Sequence, residues 1–201
     1  MFSYHRFGGR SKIDRYLELQ REMSDALSIV IPMKVWTPGL HGFRSKRLLS
    51  SRAMIPAHIE LCSFEGSAGM EGEGRINLSN RLLSLCQSRS TFSYRLSKLM
   101  WEENAQRLSL EPEPLQAFYD LREALLEVLS LEEDPRNPHR MNLVVAHRSD
   151  LSEYALREEF ELMTGELLPL QCRATELEVY TRRNGDWLLR ESFSLRESER
   201  N

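Results

Sequence analysis

No stretch of about 18 consecutive apolar residues occurs in this 201-residue chain, which excludes a spanning helix of ordinary length. The opening residues, with Tyr4, His5 and Arg6, also lack the apolar core of a secretory signal. Cysteine is scarce: Cys62, Cys86 and Cys172 are odd in number and have no Cys-x-x-Cys or Cys/His spacing. A disulfide framework and a zinc site are both disfavoured, and apolar neighbours predict buried free thiols. An excess of positive charge is missing too, since 27 basic and 30 acidic residues leave a net charge of −3. That removes any bulk signal for nucleic acid, although most of the basic residues are arginines that can line one cleft. The glycines between Glu65 and Gly74 have no Gly-Lys-Ser/Thr ending, and their glutamates repel phosphate, so they form no phosphate loop. The expectation is a soluble cytoplasmic protein without metal, cofactor or membrane partner, a monomer by preference.

What is present suffices for a core, with 41% hydrophobic residues in a length that fits one domain or two fused lobes. Residues 1–25 read as a polar extension with a short helix over 14–23. Residues 26–36 read as a strand in which Pro32 suggests an edge or a bulge. The basic stretch 39–55, with His41, Arg44, Lys46, Arg47 and Arg52, reads as a solvated loop in preference to a short helix. A helix is predicted over 76–86, strands over 91–99 and 107–110, and a long helix after Pro114 that buries Leu115, Phe118, Leu121, Leu125 and Val128. Ser149-Asp150 is the expected N-cap of a helix over 151–163. A closing hairpin follows, with strands 173–182 and 186–195 about an Asn184-Gly185 turn, and the tail 196–201 frays. The domain limits are thus 26–195.

Two short apolar strands stand out because they read as one design written twice. The first is Pro56-Ala57-His58-Ile59-Glu60-Leu61-Cys62-Ser63-Phe64, and the second runs from His139 to Arg148. In register, His58-Ile59-Glu60-Leu61 lies over Asn142-Leu143-Val144-Val145. With the stretch between them and the terminal hairpin, whose Gly185-Asp186-Trp187 precedes Phe193-Ser194-Leu195, this layout resembles the 2H phosphoesterase superfamily, which includes the 2′-5′ RNA ligase-like proteins. The resemblance implies an α+β fold: two lobes of antiparallel sheet with flanking helices, related by a pseudo-twofold axis around a central cleft.

In that family each strand carries His-x-Thr or His-x-Ser. Two imidazoles with near-neutral pKa can divide the roles of general base and general acid on a phosphodiester. A hydroxyl two residues later faces the same way and donates to the phosphate oxygens as charge builds. Carried over by position, His58 matches the first histidine. Glu60 stands at the first hydroxyl and only accepts hydrogen bonds. Asn142 stands at the second histidine and cannot exchange a proton near pH 7, and Val144 puts hydrocarbon at the second hydroxyl. A register shift would make His139 the second catalytic histidine and leave Met141 at the hydroxyl position. His147 lies an odd number of residues from Asn142 and is expected on the opposite face. Arg140 and Arg148, at the ends of the second strand, are the candidate phosphate contacts.

Three readings follow. The chain is a divergent relative holding a nucleotide or an RNA-end phosphate with standard catalysis lost, or an active phosphodiesterase on 2′,3′-cyclic phosphates or 2′-5′ linkages using His58 with a non-standard partner, or a protein-interaction module on the same scaffold. A positive cleft floor around His58 and Asn142 favours a phosphate ligand, and a filled or acidic one favours a partner protein.

Overall fold

The computed structural model describes residues 26–35, 37–48, 55–65, 72–131, 140–147, 151–165, 167–183 and 186–197. The strands are β1 (Ala26–Pro32), β2 (His58–Glu65), β3 (Phe92–Glu102), β4 (Arg107–Glu113), β5 (Leu143–His147), β6 (Leu170–Ala174), β7 (Glu176–Arg183) and β8 (Asp186–Ser194). The helices are α1 (Pro38–Arg47), α2 (Gly72–Ser88), α3 (Gln116–Leu129) and α4 (Glu153–Thr164). They build two four-stranded antiparallel sheets, β2-β1-β7-β8 and β5-β4-β3-β6. The fold is α+β, as the resemblance implied.

The chain order contains an internal duplication. β1-α1-β2-α2 and β4-α3-β5-α4 repeat one succession of elements, and β2 and β5 occupy equivalent edges of their sheets. Each helix that links a pair of strands crosses to the other sheet: α1 packs on β5, and α3 packs on β2. β2 and β5 also touch each other, so the twin strands meet where the two halves interlock.

Local chemistry accounts for most elements. Every residue of β1 is buried, because this Ile/Val-rich strand is central and both of its faces are covered. Pro32 is not on an edge strand. It is the last residue of β1, beyond Val30, where the pairing with β7 has already ended, so its missing N–H costs no ladder bond. In α3, Phe118, Leu121 and Leu125 are buried at helical spacing, and Phe118 meets Phe92 and Tyr94 edge-on at 5.1 Å. The three cysteines are buried and free.

Three expectations need correction. The basic stretch expected as a loop forms α1: Pro38 stands at its start, Leu40, Phe43 and Arg44 are buried at i, i+3 and i+4, and Arg44, Lys46 and Arg47 occupy the last turn, where cations suit the helix dipole. The strand read over 173–182 is two strands. The residues that enter the main core are Leu170, Cys172 and Ala174, then Leu177 and Val179, and this phase slip at Thr175 marks where the chain leaves one sheet for the other. The cap of α4 is Ser152, which accepts from the Ala155 N–H, while Ser149 and Asp150 lie outside the described residues. So do the helix expected over 14–23 and the Asn184-Gly185 turn. Among the described residues no helix is long and apolar enough to cross a membrane.

Candidate functional site

Both twin strands carry a bulge at the same point. Val30 pairs with Glu60 and Ile29 with Cys62, leaving Leu61 as the extra residue of β2. Ser109 pairs with Val144 and Leu108 with Ala146, leaving Val145 as the extra residue of β5. The two ladders therefore superpose Glu60 on Val144 and His58 on Asn142, the same register that the sequences suggest.

A bulge leaves backbone groups without ladder partners, and a buried carbonyl must find a donor elsewhere. The opposite half supplies it. Arg44 of α1 donates its Nε–H to the Val144 carbonyl at 3.0 Å, and Arg122 of α3 donates its Nε–H to the Leu61 carbonyl at 3.0 Å. The two arginines stitch the halves together reciprocally.

Between the strands lies a cleft of about 90 Å³ lined by Arg44, His58, Glu60, Arg107, Arg140, Asn142 and Val144. Of the residues singled out in the sequence, His58, Glu60, Arg140, Asn142 and Val144 come together here. His139 and Arg148 lie outside the described residues.

His58 is half-buried, and its Nδ1 lies 2.6 Å from the Pro56 carbonyl. A carbonyl only accepts, so Nδ1 carries the proton and Nε2 keeps its lone pair. Burial pushes the imidazole pKa below the usual histidine value; Arg44 adds to this, and the carbonyl bond opposes it. His58 is thus a neutral base near pH 7. Glu60 is pinned on the strand: Ser28 Oγ donates to Oε2 and Ser63 Oγ to Oε1, each at 3.0 Å.

The second half is built differently. Glu102 is buried and receives two parallel bonds from Arg107, Nε–H to Oε1 and a terminal N–H to Oε2, both at 2.9 Å. Asn142 Nδ2 also donates to Glu102 Oε1 at 2.7 Å, which orients the Asn142 amide. Burial pushes the Glu102 carboxyl upward, but the Arg107 and Asn142 bonds outweigh it and hold it below the usual carboxylate range. Where the first half has a base, the second has an amide tied to a neutralised ion pair.

Arg44 and Arg107 escape a reading of the sequence alone. Arg44 is only 5% exposed, and burial lowers its pKa to about 10. Among the described residues no carboxylate pairs with it. Its position is set by the contact of α1 with α4: Phe43 meets Phe160 edge-on at 5.2 Å, and Lys46 and Arg47 both grip Glu159. The arginine signal was the spacing of Leu40, Phe43 and Arg44 on one helical face. With Arg107 paired to Glu102, the lining leaves Arg44 and Arg140 against one carboxylate, Glu60, so the floor keeps a net positive charge. Among the described residues no group of three His, Cys, Asp or Glu side chains is placed to hold a metal.

Neither a family model nor a curated protein matches the sequence. Solved structures do match. E. coli LigT complexed with 3′-AMP is 15% identical, with a TM-score of 0.53 over 86% of this chain and 98% of that one. LigT complexed with NADP+ gives 15% and 0.52 over the same shares. TT0787 of Thermus thermophilus is 13% identical, with a TM-score of 0.54 over 87% of this chain and 100% of that one.

Proposed function

We propose, for a chain with the 2H phosphoesterase fold, that the cleft binds the phosphate of a nucleotide or an RNA end and has lost the two-histidine reaction. The observation that carries this reading is Arg44. A guanidinium taken out of water without a counter-charge is costly, and an anion in the cleft offsets that cost. With Nε engaged by the Val144 carbonyl, its terminal N–H groups remain to grip phosphate oxygens in the fork geometry that suits them. Arg140, exposed at the same cleft, adds a second charge. A volume of about 90 Å³ is well below the roughly 300–1,000 Å³ of pockets that enclose whole drug-sized ligands. It suits a phosphate group with its ester substituent outside. The crystals of LigT with 3′-AMP and with NADP+ point to the same ligand class.

Turnover is another matter. His58 can accept a proton from an attacking water or hydroxyl, but opening an alkyl phosphodiester also needs a proton for the leaving oxygen. Asn142 has none to give, Val144 offers no hydrogen bond, and Glu60 only accepts. Loss of such a group costs about 10²–10⁴-fold in rate.

A slow phosphodiesterase remains the second reading, favoured by His58 as a neutral base in the cleft. One experiment separates the two: binding of a nucleoside 3′-monophosphate, alongside hydrolysis of a 2′,3′-cyclic nucleotide and a 2′-5′-linked dinucleotide. The expected result is saturable binding without turnover. Arg44→Gln removes charge-assisted bonds of about 1.5–3 kcal/mol and weakens binding by roughly 10- to 150-fold. Turnover that vanishes in His58→Ala establishes the phosphodiesterase instead. Neither binding nor turnover leaves the scaffold as an interaction module.

A further inference from the structure

His147 lies five residues after Asn142, and simple strand alternation sends it to the opposite face. The bulge at Val145 reverses that parity. β4 and β5 pair Ser109 with Val144, skip Val145, and then pair Leu108 with Ala146 and Arg107 with His147. Residues directly opposite on neighbouring strands share a face. Glu102 pairs with Arg107 across β3 and β4, so Glu102, Arg107 and His147 form one row over three strands. Arg107 lines the cleft, and the half-buried His147 stands opposite it on the same sheet face, next to the lining residues and not among them.

The row is electrostatically incomplete. Among the described residues, the charged groups that face His147 are Arg107 on β4 and Glu102 on β3. Glu102 already accepts two bonds from Arg107 and one from Asn142. Its charge is committed, and an imidazolium at His147 would stand beside a second cation. Burial and Arg107 accordingly hold the imidazole below its usual pKa, with Glu102 opposing. An anion against Arg107 relieves that repulsion and favours the charged form.

Resting on the anion-binding reading of the cleft, we propose that His147 is a further binding residue of this site. As an imidazolium it joins Arg107 in the field that holds an anionic ligand, so affinity rises as pH falls.

The test is sulfate binding at low ionic strength between pH 5 and pH 8, a range in which sulfate stays a dianion. The variants are His147→Gln, His147→Lys, His58→Gln and Arg44→Gln. Wild-type affinity is expected to rise toward pH 5. His147→Gln removes roughly three- to tenfold of that rise, the size of one added charge near the ligand. His58→Gln leaves the His147 portion in place. His147→Lys tightens binding at pH 8 and flattens the profile, a gain that a misfolded or merely structural variant does not give. A His147→Gln profile superimposable on wild type, or no gain in His147→Lys, overturns the assignment while leaving the cleft an anion site. Absence of sulfate binding in wild type at every pH, or binding that Arg44→Gln does not weaken, overturns the anion-binding reading and this inference with it.

Discussion

Glycine to alanine inside a helix ordinarily stabilises, by about 0.8–1.0 kcal/mol, because glycine has more backbone freedom to lose. Helix α1 contains two glycines three residues apart, and the structure assigns them opposite outcomes. A Cβ on Gly39 would stand 2.3 Å from the Met163 carbonyl oxygen and 3.2 Å from both its carbon and the Thr164 Cα, all backbone of α4. No rotamer change relieves that clash, so α1 must move away from α4, and overpacking of this kind costs about 1–3 kcal/mol. A Cβ on Gly42 would meet only the flexible end of the Met163 side chain, at 3.5 Å. Gly42→Ala therefore keeps the ordinary gain. With a urea m-value of about 2 kcal/mol/M, Gly39→Ala lowers the unfolding midpoint by roughly 0.5–1.5 M. Gly42→Ala raises it by about 0.4–0.5 M. Because α1 carries Arg44, Gly39→Ala also weakens phosphate binding under conditions where the protein is fully folded. Midpoints that move in the same direction for both variants refute the reasoning, since they mean that α1 does not lie backbone to backbone on the end of α4.

Two further outcomes are expected. Arg122→Met strands the Leu61 carbonyl at the bulge of β2 and costs about 1–3 kcal/mol; a variant as stable as wild type in urea would mean the carbonyl has another donor. Glu102→Gln breaks the paired bonds to Arg107 and costs about 3 kcal/mol at pH 7. The native carboxyl lies below the reference value of 4.5. Its contribution is therefore full above that pH and is lost as pH falls through the lower folded value. The gap between wild type and variant should shrink on acidification, and urea titrations at pH 7 and pH 3 that show the same gap would contradict it.

The twin strands were legible because their signals are local. His58 and Glu60 alternate with the buried Ile59 and Leu61, as Asn142 and Val144 alternate with Leu143 and Val145. That two-residue period, together with the spacing of the elements around it, carried both the resemblance and the register. The central part of the α3 stripe, Phe118, Leu121 and Leu125, and the free thiols were legible for the same reason, since burial follows side-chain chemistry, while Leu115 and Val128 at the ends of the stripe are only half-buried. The split between β6 and β7 left only a phase slip at Thr175, too short to separate from the noise of a single alternation.

Sequence alone thus determined the α+β architecture and which residues of the two strands share a face up to each bulge. The tertiary structure alone decided the rest of the cleft. A bulge arises from pairing with a strand distant in the chain, so no local pattern showed that Leu61 and Val144 would leave carbonyls for Arg122 and Arg44 to take. Arg44 looked like one charge in a basic stretch until α1 folded against α4 and carried it across to β5. His147 looked misdirected until one unpaired residue reversed its strand. Each depends on a contact with the other half of the molecule, and such contacts exist only once both halves have formed.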